Sequence, residues 1–236
     1  MATWAVNRIG TRSEPARRAV DVAVSAVLLL LVLPVILLTA LASAIVLGAW
    51  PFFAQERIGR DGVTFRFIKV RSLPPDMPAY TDKHKLDAQR IPAFCRLLRR
   101  LHLDELPQLF LVLRGQMSLV GPRPEMAHLH EQFPIDFADL RTSIRPGCTG
   151  LWQVSESCDG LIGASPEYDR FYVDHRSWRL DLWIAYRTVL KMTGIGRTVG
   201  LDAVPGWARA SQEAAEVIDL RDAIEAEPAA FSIAGR

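Results

Sequence analysis

The chain has 236 residues, half of them hydrophobic and 23% charged, which suits one domain with an appendage and excludes a disordered or collagen-like chain. Its 28 basic and 26 acidic residues leave a net charge of only +2, too little for the broad field that gathers nucleic acid, so no nucleic-acid partner is expected. Three cysteines, Cys95, Cys148 and Cys158, show no CxxC spacing; neither a disulfide framework nor a zinc site is expected, and a reduced, cytosol-facing compartment fits.

Residues 1–16 read as an N-terminal arm, and residues 17–55 as a membrane anchor. From Val22 to Gln55 there is no Asp, Glu, Lys or Arg. A bilayer core needs roughly 20 apolar helical residues, and buried helices of soluble proteins are rarely this long or this aliphatic. A signal peptide cleaved at Ala42-Ser43-Ala44 would have too long an apolar core, against the usual ~7–15 residues. A straight helix of this length would reach roughly 51 Å, well beyond the ~30 Å core. Pro34 lies near the middle and is predicted to break the helix there. Arginines precede the run (Arg8, Arg12, Arg17, Arg18) and basic residues follow it (Arg57, Arg60, Arg66, Lys69, Arg71). Positive flanks mark the cytoplasmic side, so a re-entrant helix that enters and leaves on one face is favoured slightly over a single span.

Residues 56–196 read as one cytosolic domain. Gly62–Ser72 alternates like a strand, with Val63, Phe65, Phe67 and Lys69 on one side. A proline-containing loop follows, from Leu73 to about Lys85. Residues 91–101 predict a short basic helix, and a second helix is expected from near Asp104 to Gly115, with Asp104 or its neighbour at the N-cap because Pro107 suits a first turn. Residues 121–150, rich in Pro and Gly, are expected to be largely irregular. Arg176–Met192 is amphipathic, and its Trp178, Trp183 and Tyr186 beside basic residues suit either a membrane interface or a packed core. An acidic tail, 197–236, closes the chain, with Ser211 placed to cap a last helix.

The sharpest chemical signal is Asp104-Glu105. Adjacent acids are common at helix starts. Yet beside Arg96, Arg99 and Arg100 they also suit a site where hard carboxylate oxygens hold Mg²⁺ against substrate phosphates, or where a carboxylate attacks phosphorus. Two proline-stiffened loops, Gly121-Pro122-Arg123-Pro124 and Arg141-x-x-x-Arg145-Pro146-Gly147, could each present a guanidinium to an anion or make a structural turn with a salt bridge. His102, alone between leucines, reads as a packed side chain.

Together these pieces resemble the bacterial sugar transferases, the monotopic polyprenyl-phosphate phosphoglycosyl transferases. The likeness runs from about Arg17 to Met192. It includes Phe53-x-Gln55-x-Arg57-x-Gly59-x-x-Gly62-x-x-Phe65-x-x-x-Lys69-x-Arg71-Ser72, then Leu98-Arg99-Arg100 and Leu103 to Leu109. It continues with Gly115-x-Met117-Ser118-Leu119-Val120-Gly121-Pro122-Arg123-Pro124-Glu125 and Arg145-Pro146-Gly147-x-Thr149-Gly150-x-Trp152-Gln153, with Tyr172 and Asp181 further on.

The resemblance implies a membrane-associated, α-rich α+β fold: a re-entrant N-terminal membrane helix and a compact cytosolic domain with short strands and interfacial helices. It implies transfer of a sugar-1-phosphate from a nucleotide sugar, a UDP-sugar by preference, to a membrane polyprenyl phosphate. Nucleoside monophosphate is released, and the step primes a surface glycan. Asp104 matches the nucleophile and Glu105 the neighbouring acid, the pair holding Mg²⁺. Lys69, Arg99, Arg123 and Arg145 match basic positions around the phosphates and nucleotide. Membrane lipid is an implied partner, the plasma membrane's cytoplasmic face the implied location, and a homo-oligomer stays open. The chain departs from the family pattern at Leu33, where a Ser often precedes the proline, at His102 and Leu111, and at Ser155–Asp159, which replaces a Gly-Arg. A scaffold that keeps the fold without turnover is the competing reading.

Overall fold

The computed structural model describes residues 9–77 and 90–208, with side chains from Glu14 onward. Its first element, helix α1, spans Ile9–Leu47. The expectation that Pro34 breaks this helix is corrected: α1 continues through both Pro15 and Pro34. A proline removes one N–H from the ladder, and the turns on either side keep theirs. One stripe of α1 (Ser25, Leu29, Ile36, Ala40 and Ser43) is buried against the domain, while Leu30, Leu31, Leu38, Leu41 and Ile45 point outward. Small side chains recur in that stripe because they let the helix approach its neighbours closely.

The strand expected at Gly62–Ser72 is β2, Thr64–Val70. Phe65 and Phe67 face inward as their alternation predicts, but Val63 is exposed, since it belongs to the turn. The partner, β1 (Phe52–Ile58), pairs antiparallel with β2 from Phe52↔Val70 to Ile58↔Thr64. The charge-free stretch therefore runs past the helix into a strand. Phe65 and Phe67 pack on Leu111, Val112 and Met117, which fastens the hairpin to the middle of the domain.

Helix α2 covers Ala93–Arg100. The single helix expected from Asp104 to Gly115 is two elements, a 3₁₀ turn at Leu103–Glu105 and helix α3 at Gln108–Leu113. Asp104 is not an N-cap; Pro107 occupies that position of α3, and it has no side chain able to cap. Residues 121–150 are more regular than expected. They hold α4 (Ala127–His130), α5 (Ile135–Thr142) and β4 (Gly147–Thr149), with β3 at Ser118–Val120 just before. Their order comes from Phe133, Phe137, Leu140 and Ile144, which join the main core despite the prolines around them.

Strands β3 and β4 are parallel, Ser118 opposite Gly147 and Val120 opposite Thr149. Close approach fixes this pairing. A Cβ on Gly147 would lie 2.1 Å from the Gly121 nitrogen, and one on Gly121 would lie 2.6 Å from the Arg145 oxygen. The two proline-stiffened loops are thereby laid side by side.

Helices α6 (Leu151–Val154), α7 (Glu167–Asp174) and α8 (Trp178–Met192) enclose the main core around Phe137, Tyr168, Tyr172, Leu180 and Ile184. Ser177 caps α8 by accepting from the Leu180 N–H. Leu180 and Ile184 of α8 are buried while Leu182, Tyr186 and Val189 are exposed. The first part of the tail also belongs to this core, through Val199, Val204 and Ala208. Ser211 and its expected helix lie outside the described residues.

Both ends of α1 are tied to this one domain. Asp21 accepts from the Ser118 hydroxyl (2.6 Å) and the Leu119 N–H (3.1 Å), and Arg17 pairs with Asp181. At the other end Ser43 donates to the Arg71 carbonyl, and Ala40 packs with Val70 and Leu98.

Candidate active site

A cavity of about 950 Å³ opens between β2, α2, the Leu103–Glu105 turn and the loop after β3. Strand alternation sets Lys69 on the face that carries Phe65 and Phe67, but one pair beyond the packed core, so its side chain enters the cavity. The last turn of α2 contributes Arg99 and Arg100, the 3₁₀ turn Asp104 and Glu105, and the stiff loop Arg123. Another wall is apolar: Val24, Leu28 and Val32, one side of α1 at helical spacing, with Leu106 and Leu109. The cavity thus joins a charged region to a wall made by the anchor.

Of the six expected site residues, Asp104, Glu105, Lys69, Arg99 and Arg123 line this cavity, and Arg145 does not. Arg145 donates to the Gly115 carbonyl (3.0 Å) and pairs with Glu14 (3.2 Å), which also meets Arg60 and Arg176. Arg141 is likewise engaged. It forms a buried ion pair with Asp169 (2.8 Å; side chains 5% and 2% exposed) and donates to the Arg123 carbonyl, which props the Arg123 loop from behind.

The two acids live in different fields. Asp104 is only 4% exposed, and its Oδ2 accepts from the Ser72 hydroxyl at 2.8 Å. Burial, reinforced by the neighbouring Glu105 charge, raises its pKa; Lys69, the Ser72 hydrogen bond and Arg99 offset part of this. Burial acts on Glu105 in the same direction, but Arg123 overrides it. That guanidinium donates to Oε1 at 2.6 Å and Oε2 at 3.2 Å, a bidentate pair, and with Lys69 it holds Glu105 below the usual carboxylate range. Burial lowers the Lys69 ammonium, against the pull of Glu105 and Asp104. Arg57 is pushed down to about 10 by burial, although it pairs with Glu125 at 3.0 Å.

Among the described residues no three His, Cys, Asp or Glu side chains gather into a metal-binding group. Mg²⁺ does not need one: it is commonly held by one or two carboxylates together with substrate phosphates and water. Arg123 donates one hydrogen bond to each Glu105 oxygen, and a carboxylate offers about four acceptor sites. The pair therefore fits a magnesium ion bound through substrate, and does not make a closed cage.

The expectation that His102 is packed is corrected. It is exposed, lines the cavity, and holds a left-handed backbone (φ 54°) two residues before Asp104. That conformation costs a non-glycine residue about 1–2 kcal/mol, and here it turns the chain from α2 into the Asp104 turn. Ser72, Arg57 and Glu125, present in the motifs of the resemblance, carried no expected role in the site, yet all three line the cavity. Ser72 lies 32 positions from Asp104, and no local pattern announces their contact.

Comparison with known proteins gives the family and several relatives. Residues 12–194 match the family described as bacterial sugar transferase. An exopolysaccharide production protein, ExoY, of Sinorhizobium fredii is 32% identical over 203 residues, covering 79% of this chain and 88% of that protein. The UDP-glucose:undecaprenyl-phosphate glucose-1-phosphate transferase of Klebsiella pneumoniae is 36% identical, over 74% of this chain and 39% of its own length. A UDP-N-acetylgalactosamine-undecaprenyl-phosphate N-acetylgalactosaminephosphotransferase of Aeromonas hydrophila is 32% identical, over 76% and 44%. The chain spans most of the first relative and less than half of the other two.

Proposed function

As a member of the bacterial sugar transferase family the chain is a polyprenyl-phosphate sugar-1-phosphate transferase, and we propose that it takes its sugar phosphate from a UDP-sugar through a covalent step on Asp104. A carboxylate oxygen of Asp104 attacks the phosphorus that carries the sugar. The bond from that phosphorus to the bridging diphosphate oxygen breaks, and nucleoside monophosphate leaves with the electron pair. An oxygen of the polyprenyl phosphate then attacks the same phosphorus. Asp104 is released as a carboxylate, and sugar and lipid are joined through a diphosphate.

The observation that carries this reading is the cavity itself. It sets a buried carboxylate among Lys69, Arg99 and Arg123, beside an apolar wall supplied by the membrane helix. Charge builds on phosphoryl oxygens during such a transfer, and fixed guanidinium and ammonium groups stabilise it without reorganising. The Arg123–Glu105 pair keeps Glu105 ionised beside the donor phosphates. Asp104 and Glu105 would hold Mg²⁺, which supplies charge neutralisation at the diphosphate. Val24, Leu28 and Val32 suit the isoprenoid chain of the acceptor.

The same reading places the domain on the cytoplasmic face of the plasma membrane, with α1 re-entrant. On a spanning helix Asp21 and Ser43, about 33 Å apart along α1, would sit at opposite faces of the bilayer core. Both residues instead bond to one domain, which supports entry and exit on a single face. The exposed Leu182, Tyr186 and Val189 of α8 suit the lipid interface, and Arg17 links this helix to the anchor through Asp181 and the Trp178 ring.

Purified protein in lipid nanodiscs, supplied with a panel of UDP-sugars and polyprenyl phosphate, should release uridine monophosphate with at least one sugar. Chelation should stop the release and Mg²⁺ restore it. Silence with every donor would remove the activity, and full turnover in excess EDTA would remove the metal.

A further inference from the structure

Among the described residues, Ser72 is the one neutral side chain hydrogen-bonded to the carboxylate on which the proposed reaction turns, and its position is fixed from two directions. The preceding residue, Arg71, donates its N–H to the Pro51 carbonyl at 2.6 Å and receives the Ser43 hydroxyl of α1 on its own carbonyl. Ser72 itself is 1% exposed, and its hydroxyl lies 2.8 Å from Asp104 Oδ2. An ionised carboxylate has no hydrogen to give, so in this contact Ser72 donates.

We propose that Ser72 is a positioning residue that selects which Asp104 oxygen attacks phosphorus, by holding Oδ2 and turning Oδ1 to the substrate. The assignment rests on the covalent reading given above. During the first step the hydrogen bond stops the carboxylate from rotating about its Cβ–Cγ bond and keeps one oxygen in line with the departing monophosphate. Once the Oδ1–phosphorus bond has formed, Oδ2 is the carbonyl oxygen of an acyl phosphate and still accepts from Ser72. In the second step the acceptor oxygen bonds to phosphorus, the Oδ1–phosphorus bond breaks, and its electron pair returns to the carboxylate. Ser72 is then already placed to stabilise the restored charge. The neighbouring Ser43 contact means that the anchor helix helps to fix the angle of the nucleophile.

The test is a rapid-quench measurement with UDP-sugar and no acceptor, on the full chain in lipid nanodiscs. Wild type should give a burst of uridine monophosphate of about one per enzyme. Ser72→Ala should keep the burst amplitude per folded enzyme and the donor affinity, while the burst rate falls about ten- to hundredfold, the range for losing a hydrogen bond to a charged group. Ser72→Thr, which keeps the hydroxyl, should recover most of the rate. Because amplitude counts competent enzyme, misfolding and mispositioning separate. A Ser72→Ala protein with wild-type burst rate and a smaller amplitude would make Ser72 merely structural and overturn the assignment. So would a Ser72→Thr protein as slow as Ser72→Ala. Wild type that turns over with acceptor but shows no donor-only burst would overturn the covalent reading itself, and this assignment with it.

Discussion

The loops at 121–124 and 145–147 look alike in sequence, each an arginine locked against proline and glycine, and they lie alongside each other through β3 and β4. Their arginines do opposite work. Arg123 enters the cavity and pairs with Glu105; Arg145 turns to Gly115 and to Glu14 of the anchor helix. One loop lines the cavity and the other fastens the long apolar helix. Stiffness next to a guanidinium therefore says that a cation is being held, and the partner decides what it is held for.

The comparison breaks most sharply through the cations themselves. Arg123→Ala should lower turnover by about 10²–10³-fold, as expected when a preorganised donor to developing charge is removed. Arg145→Ala should leave turnover per folded enzyme within about threefold. Steady-state release of uridine monophosphate, scaled to burst amplitude, reads both. Equal losses in the two variants would erase the distinction drawn between the loops.

The next effect concerns what stands behind the Arg123 loop. Arg141→Met leaves Asp169 buried without its partner and should destabilise the domain by about 3–5 kcal/mol. The double variant Arg141→Met with Asp169→Leu should recover much of that stability in a thermal melt. It should still turn over slowly, because the hydrogen bond to the Arg123 carbonyl is gone. Wild-type activity in a stable double variant would show that the loop needs no prop.

A pH profile sharpens the contrast within the acid pair. Attack requires ionised Asp104, and burial together with Glu105 raises its pKa. Activity should therefore fall on acidification at a pH above the ~3.9 of a free aspartate. Glu105→Gln removes one cause of the rise and frees Arg123, so the residual activity should persist to lower pH. A limb that moves upward would mean that Glu105 does not act on Asp104 in this way.

The smallest effect belongs to the anchor side. Glu14→Gln removes a partly exposed carboxylate shared by three arginines, and should cost about 1 kcal/mol or less in stability, with turnover unchanged. A large loss of turnover would link the anchor's first turns directly to the cavity.

The sequence made the local features of this molecule readable and its long-range contacts unreadable. The charge-free run announced most of α1, alternation announced β2, and the acid pair, with Lys69, Arg99 and Arg123 added by the family resemblance, announced five of the charged residues that line the cavity. The contacts that assign roles join residues far apart: Ser72 to Asp104 across 32 positions, Asp21 to Ser118 across 97, Glu14 to Arg145 across 131, and Arg17 to Asp181 across 164. No local periodicity encodes such pairs. For the same reason β1 was hidden inside an apolar stretch, α5 inside a proline-rich one, and the direction of Arg145 behind a motif that resembles its neighbour's.

The central claim is that Asp104 becomes covalently loaded. Wild-type protein mixed with UDP-sugar in the absence of acceptor, digested and analysed by mass spectrometry, should carry the mass of one sugar phosphate on the peptide that contains Asp104. Asp104→Asn should show neither that mass nor turnover. Normal turnover by Asp104→Asn, or a wild-type enzyme that turns over while its Asp104 peptide stays unmodified, would contradict the account.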